Sequence, residues 1–532
     1  MVLRVAIVGT GPTGVYTFKH LIQSNEAMQI SLFEKGPSVG IGMPYSPETA
    51  SKSMLANIAS IEIPPLTQTY LEWMETLPSE RLRRYHVDPN AVDERDFTPR
   101  LLLGEYFHEE TLAMVKAANA SGKQVFIHEN CEVTDVKALG DGTIAITCDV
   151  DLTDNIFDRV ILATGHVFDD GAEKSKRFYP NPWSGLLQDE IPATKIGVMG
   201  TSLSAIDAAM AVANQHGRFI RKSGALSYET DKAGQLIITL MSWSGILPEA
   251  DFYCPIPYEA LSVLTQDALE RALQTSDSLE VIFDLFKQEI ALSDPNWAKD
   301  IGLKSLNVEQ FHDAYFADRE NYNSFRMARE NLAEVERNKA QKKTVGWRYA
   351  ILRMHEPIGD VVAQLSEDEQ QRFNMSLKKV FVDNYAAVPS ESIRRLLALR
   401  DAKVLDLLAL GEDYEIKHDD SGTHIVAHGN VHDFAVFIDA RGQKPLETKH
   451  VPFPSLRADI KTAGQDTPEV GDDFALLDVN GYSDNLYYAA LPFLMHEKPF
   501  IQGITACNEI GEAIAQSNAL KRRRRKRLIL AA

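Results

Sequence analysis

Two stretches of this sequence put small residues where a backbone must come close to a phosphate. The first is RVAIVGTGPTGVY at 4–16, in which Gly9-Thr10-Gly11-Pro12-Thr13-Gly14 is a full G-x-G-x-x-G. Gly9 permits the tight turn, Gly11 lets the backbone approach a diphosphate, and Gly14 lets the following helix pack closely, its N-terminal amides facing the anion. Glu34 stands 20 residues beyond Gly14, where a carboxylate can bond a ribose hydroxyl. The same acid would repel a 2′-phosphate. The second stretch is GVMGTSLSAIDAA at 197–209. It has one glycine, Gly200, followed by Thr201, with Ser202 and Ser204 near the places where the other two glycines would fall. Small hydroxyl residues still allow close approach and donate hydrogen bonds to phosphate. An ordinary βα turn is the alternative reading of this second stretch.

The elements that must position these loops are legible around them. LRVAIV at 3–8 is an apolar run of strand length, broken only by Arg4, as suits a parallel strand buried on both faces. Val15, Phe18, Leu21 and Ile22 then repeat at helical spacing, and a second strand, 30–33, ends at Glu34. KIGVM at 195–199 enters the second loop, Ala208, Ala209 and Ala211 give a closely packing helix, and the strand 236–241 runs into Ser242-Trp243-Ser244-Gly245.

At 532 residues, two or three domains are expected, and 44% hydrophobic with 24% charged residues is the composition of a folded chain. No apolar stretch is long enough to span a bilayer, and the N-terminus reads as a strand, not a signal peptide. Cys131, Cys148, Cys254 and Cys507 form no CxxC pair, so reduced thiols, a cytoplasmic location and no metal site are expected. A net charge of −20 argues against nucleic-acid binding by the body of the chain. KRRRRKR at 521–527 is the exception: a self-repelling block, expected to be disordered and to solubilise the protein, with a nucleic-acid or anionic-surface contact as the alternative.

Residues 122–165 and 402–442 share one grammar: a short strand, a hairpin turned at Gly140-Asp141-Gly142 or Asp419-Asp420-Ser421-Gly422, an acidic loop, and an apolar strand closing on small residues. Two related β-meanders are predicted, each returning a strand to a nucleotide-binding sheet.

The motif order resembles the bacterial FAD-NAD(P)-binding family related to flavin N-hydroxylases and class B monooxygenases. GIGMPYS (40–46), MLANIASIEIPP (54–65), FTPRLLLGEYF (97–107), GILPEADFYCPIPY (245–258), NYAAVPSESIRRLLALR (384–400) and FIQGITACNEIGEAIA (500–515) look like its YdhS-type members. The resemblance implies an α/β, two-dinucleotide-binding (Rossmann-like) flavoprotein fold with β-meanders and a helical insertion. It implies FAD held by Gly9, Gly11, Pro12, Thr13, Gly14, Glu34 and Lys35, and NAD(P)H as reductant at Gly200, Thr201, Ser202 and Ser204. FDRVILATGH (157–166) resembles the second FAD motif, with Ala163, Thr164 and Gly165 passing close to the cofactor. Val133 falls where a backbone contact to adenine is usual. Asn57 and Arg100 match polar positions near the flavin, a turn bond and a surface ion pair being the alternatives. Gly503 and Thr505 open a helix whose positive end would face the flavin, or a plain helix cap. Relatives often carry an arginine after the serine matched by Ser242, to hold the 2′-phosphate of NADP; here it is Trp243.

The expected division is an N-terminal FAD part at 1–175, an NAD(P)-binding-like domain at 176–254, a mainly helical insertion at 255–400, a return to the FAD domain at 401–520 and the basic tail at 521–532. The insertion is expected to be solvated and to cover the active site. No nucleophile–base pair or paired carboxylates stand out, which fits an enzyme whose cofactor carries the chemistry. His166, His355 and His496 are candidate proton carriers, with structural roles as the alternative. The function read from all this is an FAD-dependent NAD(P)H oxidoreductase, a monooxygenase of a small polar metabolite. The alternatives are a flavin-bound sensor or scaffold, and a dehydrogenase or flavin reductase that does not oxygenate.

Overall fold

The computed structural model describes residues 2–167, 177–232 and 234–530, with the backbone alone for 518–530. Its strands, in chain order, are β1 (Leu3–Val8), β2 (Met28–Phe33), β3 (Gln124–His128), β4 (Val133–Ala138), β5 (Ile144–Cys148), β6 (Ile156–Phe157) and β7 (Arg159–Leu162). There follow β8 (Phe178–Tyr179), β9 (Lys195–Met199), β10 (Arg218–Lys222), β11 (Ala225–Glu229) and β12 (Ile237–Ser242). The last are β13 (Leu405–Ala409), β14 (Tyr414–Asp419), β15 (Gly422–Ala427), β16 (Asn430–Phe434), β17 (Val436–Asp439) and β18 (Leu486–Tyr488).

The chain divides into two compact units. One comprises Met1–Asp169 with Gln443–Ala532, the other Asp170–Gly442. The first is built on a five-stranded sheet in the order β18-β7-β1-β2-β3, every neighbouring pair parallel. The apolar run of β1 sits at its centre, with Val5 beside Ile30 on one side and Arg159 on the other. Val5, Ala6 and Ile7 are wholly buried, each larger side chain contributing about 1.5–3 kcal/mol by leaving water. Arg4 interrupts the run with its guanidinium paired to Asp154 and 5.4 Å from the Phe157 ring centroid. The helices Pro12–Gln23 and Gly503–Leu530 pack together so tightly that a Cβ on Gly511 would stand 2.6 Å from the Thr17 nitrogen.

The second unit holds a parallel sheet in the order β13-β12-β9-β17-β8. Both predicted meanders are present: β4-β5-β6 precedes β7, and β14-β15-β16 precedes β17. The fold is α/β and Rossmann-like in both units. Residues 401–442 do not return to the first unit as expected. β13 pairs with β12 and β17 with β9, so the return begins at Gln443. The expected boundary at 175/176 and the side chains of the basic run 521–527 lie outside the described residues. The backbone of that run continues the helix Gly503–Leu530, where a disordered block was expected.

The helical insertion is also less solvated than its charge pattern suggests. Phe283, Phe286, Phe311, Phe373 and Phe381 are fully buried, with Phe286 and Phe311 edge to face at 5.2 Å. These helices carry a core of their own.

Candidate functional site

The first loop runs from the end of β1 into the helix Pro12–Gln23. Gly9 has φ +91°, and a Cβ there would meet the Ala163 carbonyl oxygen at 2.4 Å. A Cβ on Gly14 would lie 2.1 Å from the Gly9 oxygen. The protein itself therefore demands these two glycines. Gly11 differs: its φ of −68° suits any residue, and an added Cβ would only touch Gly42 Cα at 3.4 Å. Nothing in the chain requires the missing side chain, so its bareness fits a group approaching from outside. The helix begins with Pro12, no side chain caps it and no acid lies in its first turn. Its first-turn amides remain for an anion. Thr13 contributes no hydroxyl to that anion, because its Oγ1 bonds Cys507 Sγ at 3.2 Å.

Glu34 arrives at this loop from the end of β2. Its Oε2 accepts from Thr10 Oγ1 at 2.6 Å and from the Thr10 amide at 3.2 Å, and its Oε1 accepts from the Gly36 amide at 2.9 Å. Thr10 also accepts from the Gly40 amide at 3.1 Å. Thr10, Gly40 and Gly42 are site residues that sequence reasoning missed. Gly42 has φ +74°, and a Cβ on it would come within 2.8 Å of Gly11 Cα, so it walls the cradle. The hydroxyl residue inside G-x-G and the GIG at 40–42 were the available signals. Lys35 is exposed, and Val133 opens β4 shortly after Cys131, whose amide bonds the Glu34 carbonyl at 3.0 Å.

Ala163 follows β7 and bonds back to Val8 through its amide at 2.8 Å, and Gly165 has φ +70° with open space around it. Arg100 donates from Nε to the Leu55 carbonyl at 3.1 Å, tying down the segment that carries Asn57. Asn57 Oδ1 is buried without a protein partner, which costs about 1–3 kcal/mol unless a bound molecule supplies a donor. Gly503 and Thr505 are exposed at the head of the long helix, and the Thr13–Cys507 contact sets that head beside the start of the helix Pro12–Gln23. Two positive helix ends thus meet near the loop. Burial pushes the Cys507 thiol up to about 11, so it stays protonated and inert. His166 keeps accessible surface, yet enough protein surrounds it that desolvation lowers its pKa. His355 belongs to the helix Gly346–Gly359 and bonds the Leu352 carbonyl of its own turn.

The second loop, in the other unit, repeats this plan with weaker parts. Gly200 has φ +125° and a Cβ would meet the Ala440 oxygen at 3.1 Å. Thr201 Oγ1 lies 3.4 Å from Ser242 Oγ, which in turn accepts from the Gly245 amide at 3.0 Å. Ser202 precedes the helix Leu203–His216 but makes no side-chain cap bond, leaving its hydroxyl for a ligand, and Ser204 lies in the first turn. Trp243 is 46% exposed, with Lys379 Nζ 5.5 Å from its ring centroid. Arg221 is turned to Glu391 at 2.6 Å and Lys222 to Glu229 at 3.3 Å.

One further constellation has the spacing of a nucleophile relay. Ser421 Oγ is 2.9 Å from His424 Nε2, and His424 Nδ1 is 2.7 Å from Asp433 Oδ1. But Asp419 also accepts from Ser421 and lies 3.3 Å from the same imidazole nitrogen. The hydrogen bonds to Asp433 and then Asp419 raise the His424 pKa. With a carboxylate at each ring nitrogen, this imidazole ties the hairpin together. Among the described residues no His/Cys/Asp/Glu group has a metal-binding arrangement, and no helix is long and apolar enough to cross a membrane.

A family model described as FAD-NAD(P)-binding matches residues 6–167, and one described as the YdhS-like middle domain matches 265–385. The chain is similar to the uncharacterised protein YdhS of Escherichia coli K12, 48% identical over 518 residues that cover 97% of each chain. It is also similar to the ornithine N-hydroxylase of Kutzneria sp. 744, solved with reduced FAD, NADP+ and L-ornithine, at 13% identity and a TM-score of 0.51, covering 98% of this chain and 100% of that one. The cadaverine monooxygenase DfoA of Erwinia amylovora, solved bound to FAD, is 12% identical with a TM-score of 0.49, covering 97% of this chain and 94% of that one. The hydroxylase likeness shows the fold: a Rossmann-like flavoprotein architecture along the whole chain.

Proposed function

The chain belongs to the YdhS-like family, with an FAD-NAD(P)-binding domain at 6–167, and on that premise we propose that it is an FAD-dependent oxidoreductase reduced by NAD(P)H. The observation that carries the reading is Gly11, a glycine that the protein's own packing does not need, set at an uncapped helix start beside a hydrogen-bonded carboxylate. Bound FAD would supply two-electron redox chemistry. The chain's own groups would hold it: the first-turn amides after Pro12 take the diphosphate, Glu34 bonds the ribose, and Asn57 offers a buried acceptor. Gly200, Thr201, Ser202 and Ser204 would receive the nicotinamide nucleotide in the second unit. The reaction we favour is oxygenation of a small polar metabolite, in keeping with the hydroxylase-like fold.

A second reading, a flavoprotein that senses or docks without turnover, is favoured by one observation. The second loop keeps a single glycine and presents Trp243 where relatives often present arginine. Anaerobic titration with NADH and NADPH separates the two. Loss of the flavin's visible absorbance on addition of either nucleotide supports the oxidoreductase. An unchanged spectrum with both supports the sensor. Oxygen uptake coupled to product then distinguishes an oxygenase from a dehydrogenase.

A further inference from the structure

The second unit contains a cavity of about 330 Å³. The segment 246–249 after β12 forms one side. The helices Val308–Asn321, Ser324–Gln341 and Gly346–Gly359 form the rest. Arg319, Arg337 and Arg348 line it; Arg337 is exposed, and the two buried ones differ in one respect. Arg319 is complete: its guanidinium is clasped by both oxygens of Asp383 and donates to the Leu247 carbonyl at 2.9 Å. Arg348 is not. It is 7% exposed and gives Nη2 to Glu249 Oε1 at 3.1 Å, but Nε and Nη1 are buried with no acceptor. Its guanidinium is fixed rather than adaptable, lying 4.9 Å from the Trp347 ring centroid. Asn331, on the same cavity wall, has its Oδ1 taken by the Ala250 amide at 2.8 Å, while its Nδ2 is buried and unpartnered.

Three buried donor nitrogens on two side chains of one cavity lack acceptors. Buried donors in folded proteins are nearly always satisfied, so a cluster left open points to a molecule that brings the acceptors. The charge around them narrows its class. Glu249 is already on Arg348, and Glu334 lies 3.9 Å from the same guanidinium. These carboxylates, with Glu330 also on the lining, oppose a phosphate dianion more strongly than a carboxylate, which brings two planar acceptors and a single charge. The volume suits a small organic molecule, with Ile246, Leu247 and Ala328 offering apolar surface to its carbon frame.

We propose that this cavity is a binding site for a small organic carboxylate, held by Arg348 Nε and Nη1 and Asn331 Nδ2. The site rests on the second unit alone and stands apart from the flavin reading. The test is isothermal calorimetry on the full-length protein as purified, with acetate, butyrate and benzoate as probes and inorganic phosphate as the competing chemistry. Two variants separate site from scaffold. Arg348→Lys keeps the charge but removes the planar donors, and Ala328→Leu narrows the cavity while keeping all three donors in the chain. Saturable binding of at least one carboxylate, weakened about tenfold or more by both variants, is the expected result. No saturable binding by any of the three, binding of phosphate in preference to all three, or carboxylate binding that either variant leaves unchanged would overturn the proposal. Melting curves of both variants establish that they are folded before binding is read.

Discussion

The two sheets of this protein are the same device built twice, with different strength. Counted from one edge, β3-β2-β1-β7 and β13-β12-β9-β17 have one order, and each carries its three-stranded meander before the fourth strand. The loops correspond residue by residue. Gly9 bonds the end of β2 through its amide at 2.9 Å, and Gly200 bonds the end of β12 at 2.6 Å. Thr10 reaches Glu34 at 2.6 Å, whereas Thr201 reaches Ser242 at 3.4 Å. The Gly36 amide bonds Glu34, and the Gly245 amide bonds Ser242. Ala163 closes on Val8 as Ala440 closes on Met199, both at 2.8 Å. The difference is that the first loop has three glycines and a carboxylate, and the second has one glycine and hydroxyls. A tight cradle with an acid suits a nucleotide that stays. A looser one with neutral hydroxyls suits a nucleotide that comes and goes.

The largest expected effects come from separating the glycines of the first loop. Gly14→Ala drives a Cβ into the Gly9 backbone at 2.1 Å and is expected to cost stability, about 1–3 kcal/mol, together with flavin. Gly11→Asn puts a good N-cap residue at a φ it accepts, so stability is expected to change by less than about 1 kcal/mol while flavin is lost. Denaturant melts of the apoproteins and flavin titration read the two effects apart. If Gly11→Asn retains flavin, the loop does not bind it.

Next comes the carboxylate. Glu34→Gln is expected to weaken flavin binding roughly tenfold, the scale of one charge-assisted hydrogen bond. The matching Ser242→Ala is expected to leave flavin content unchanged and to raise only KM for the nicotinamide nucleotide, by a few-fold. Equal effects of both on flavin would break the assignment of roles. A smaller effect is expected at Lys379. Its Nζ lies 5.5 Å from the ring centroid of Trp243, the neighbour of Ser242, so Lys379→Ala should raise KM for NADPH about threefold and spare NADH. The smallest concerns the hairpin of the second meander. His424 has a raised pKa, so its charged contacts are fully present below the ordinary histidine value of about 6.5 and fade as pH rises through the folded value. Its imidazole carbon shift, followed by NMR, should titrate above that of a free histidine. A normal or lowered midpoint would restore Ser421 as a nucleophile candidate.

Much of this was legible in the sequence for a plain reason. A glycine loop between a strand and a helix is local, and so is a carboxylate at the end of the next strand. The meander echo was legible as grammar, but grammar does not say which sheet a strand joins, and residues 401–442 went to the second. Thr10, Gly40 and Gly42 escaped because their meaning lies in contacts some 30 residues apart. The insertion's charged i,i+4 surface masked its phenylalanine core. The open donors of Arg348 and Asn331 were beyond reach, since an arginine that is satisfied and one that is not read alike as letters.

The most direct measurement is the visible spectrum of the purified full-length protein, followed by chromatography of whatever denaturation releases. The expected result is a flavin spectrum with about one FAD per chain, lost in Gly11→Asn. A colourless protein that takes up no FAD when offered it in excess would contradict the central claim.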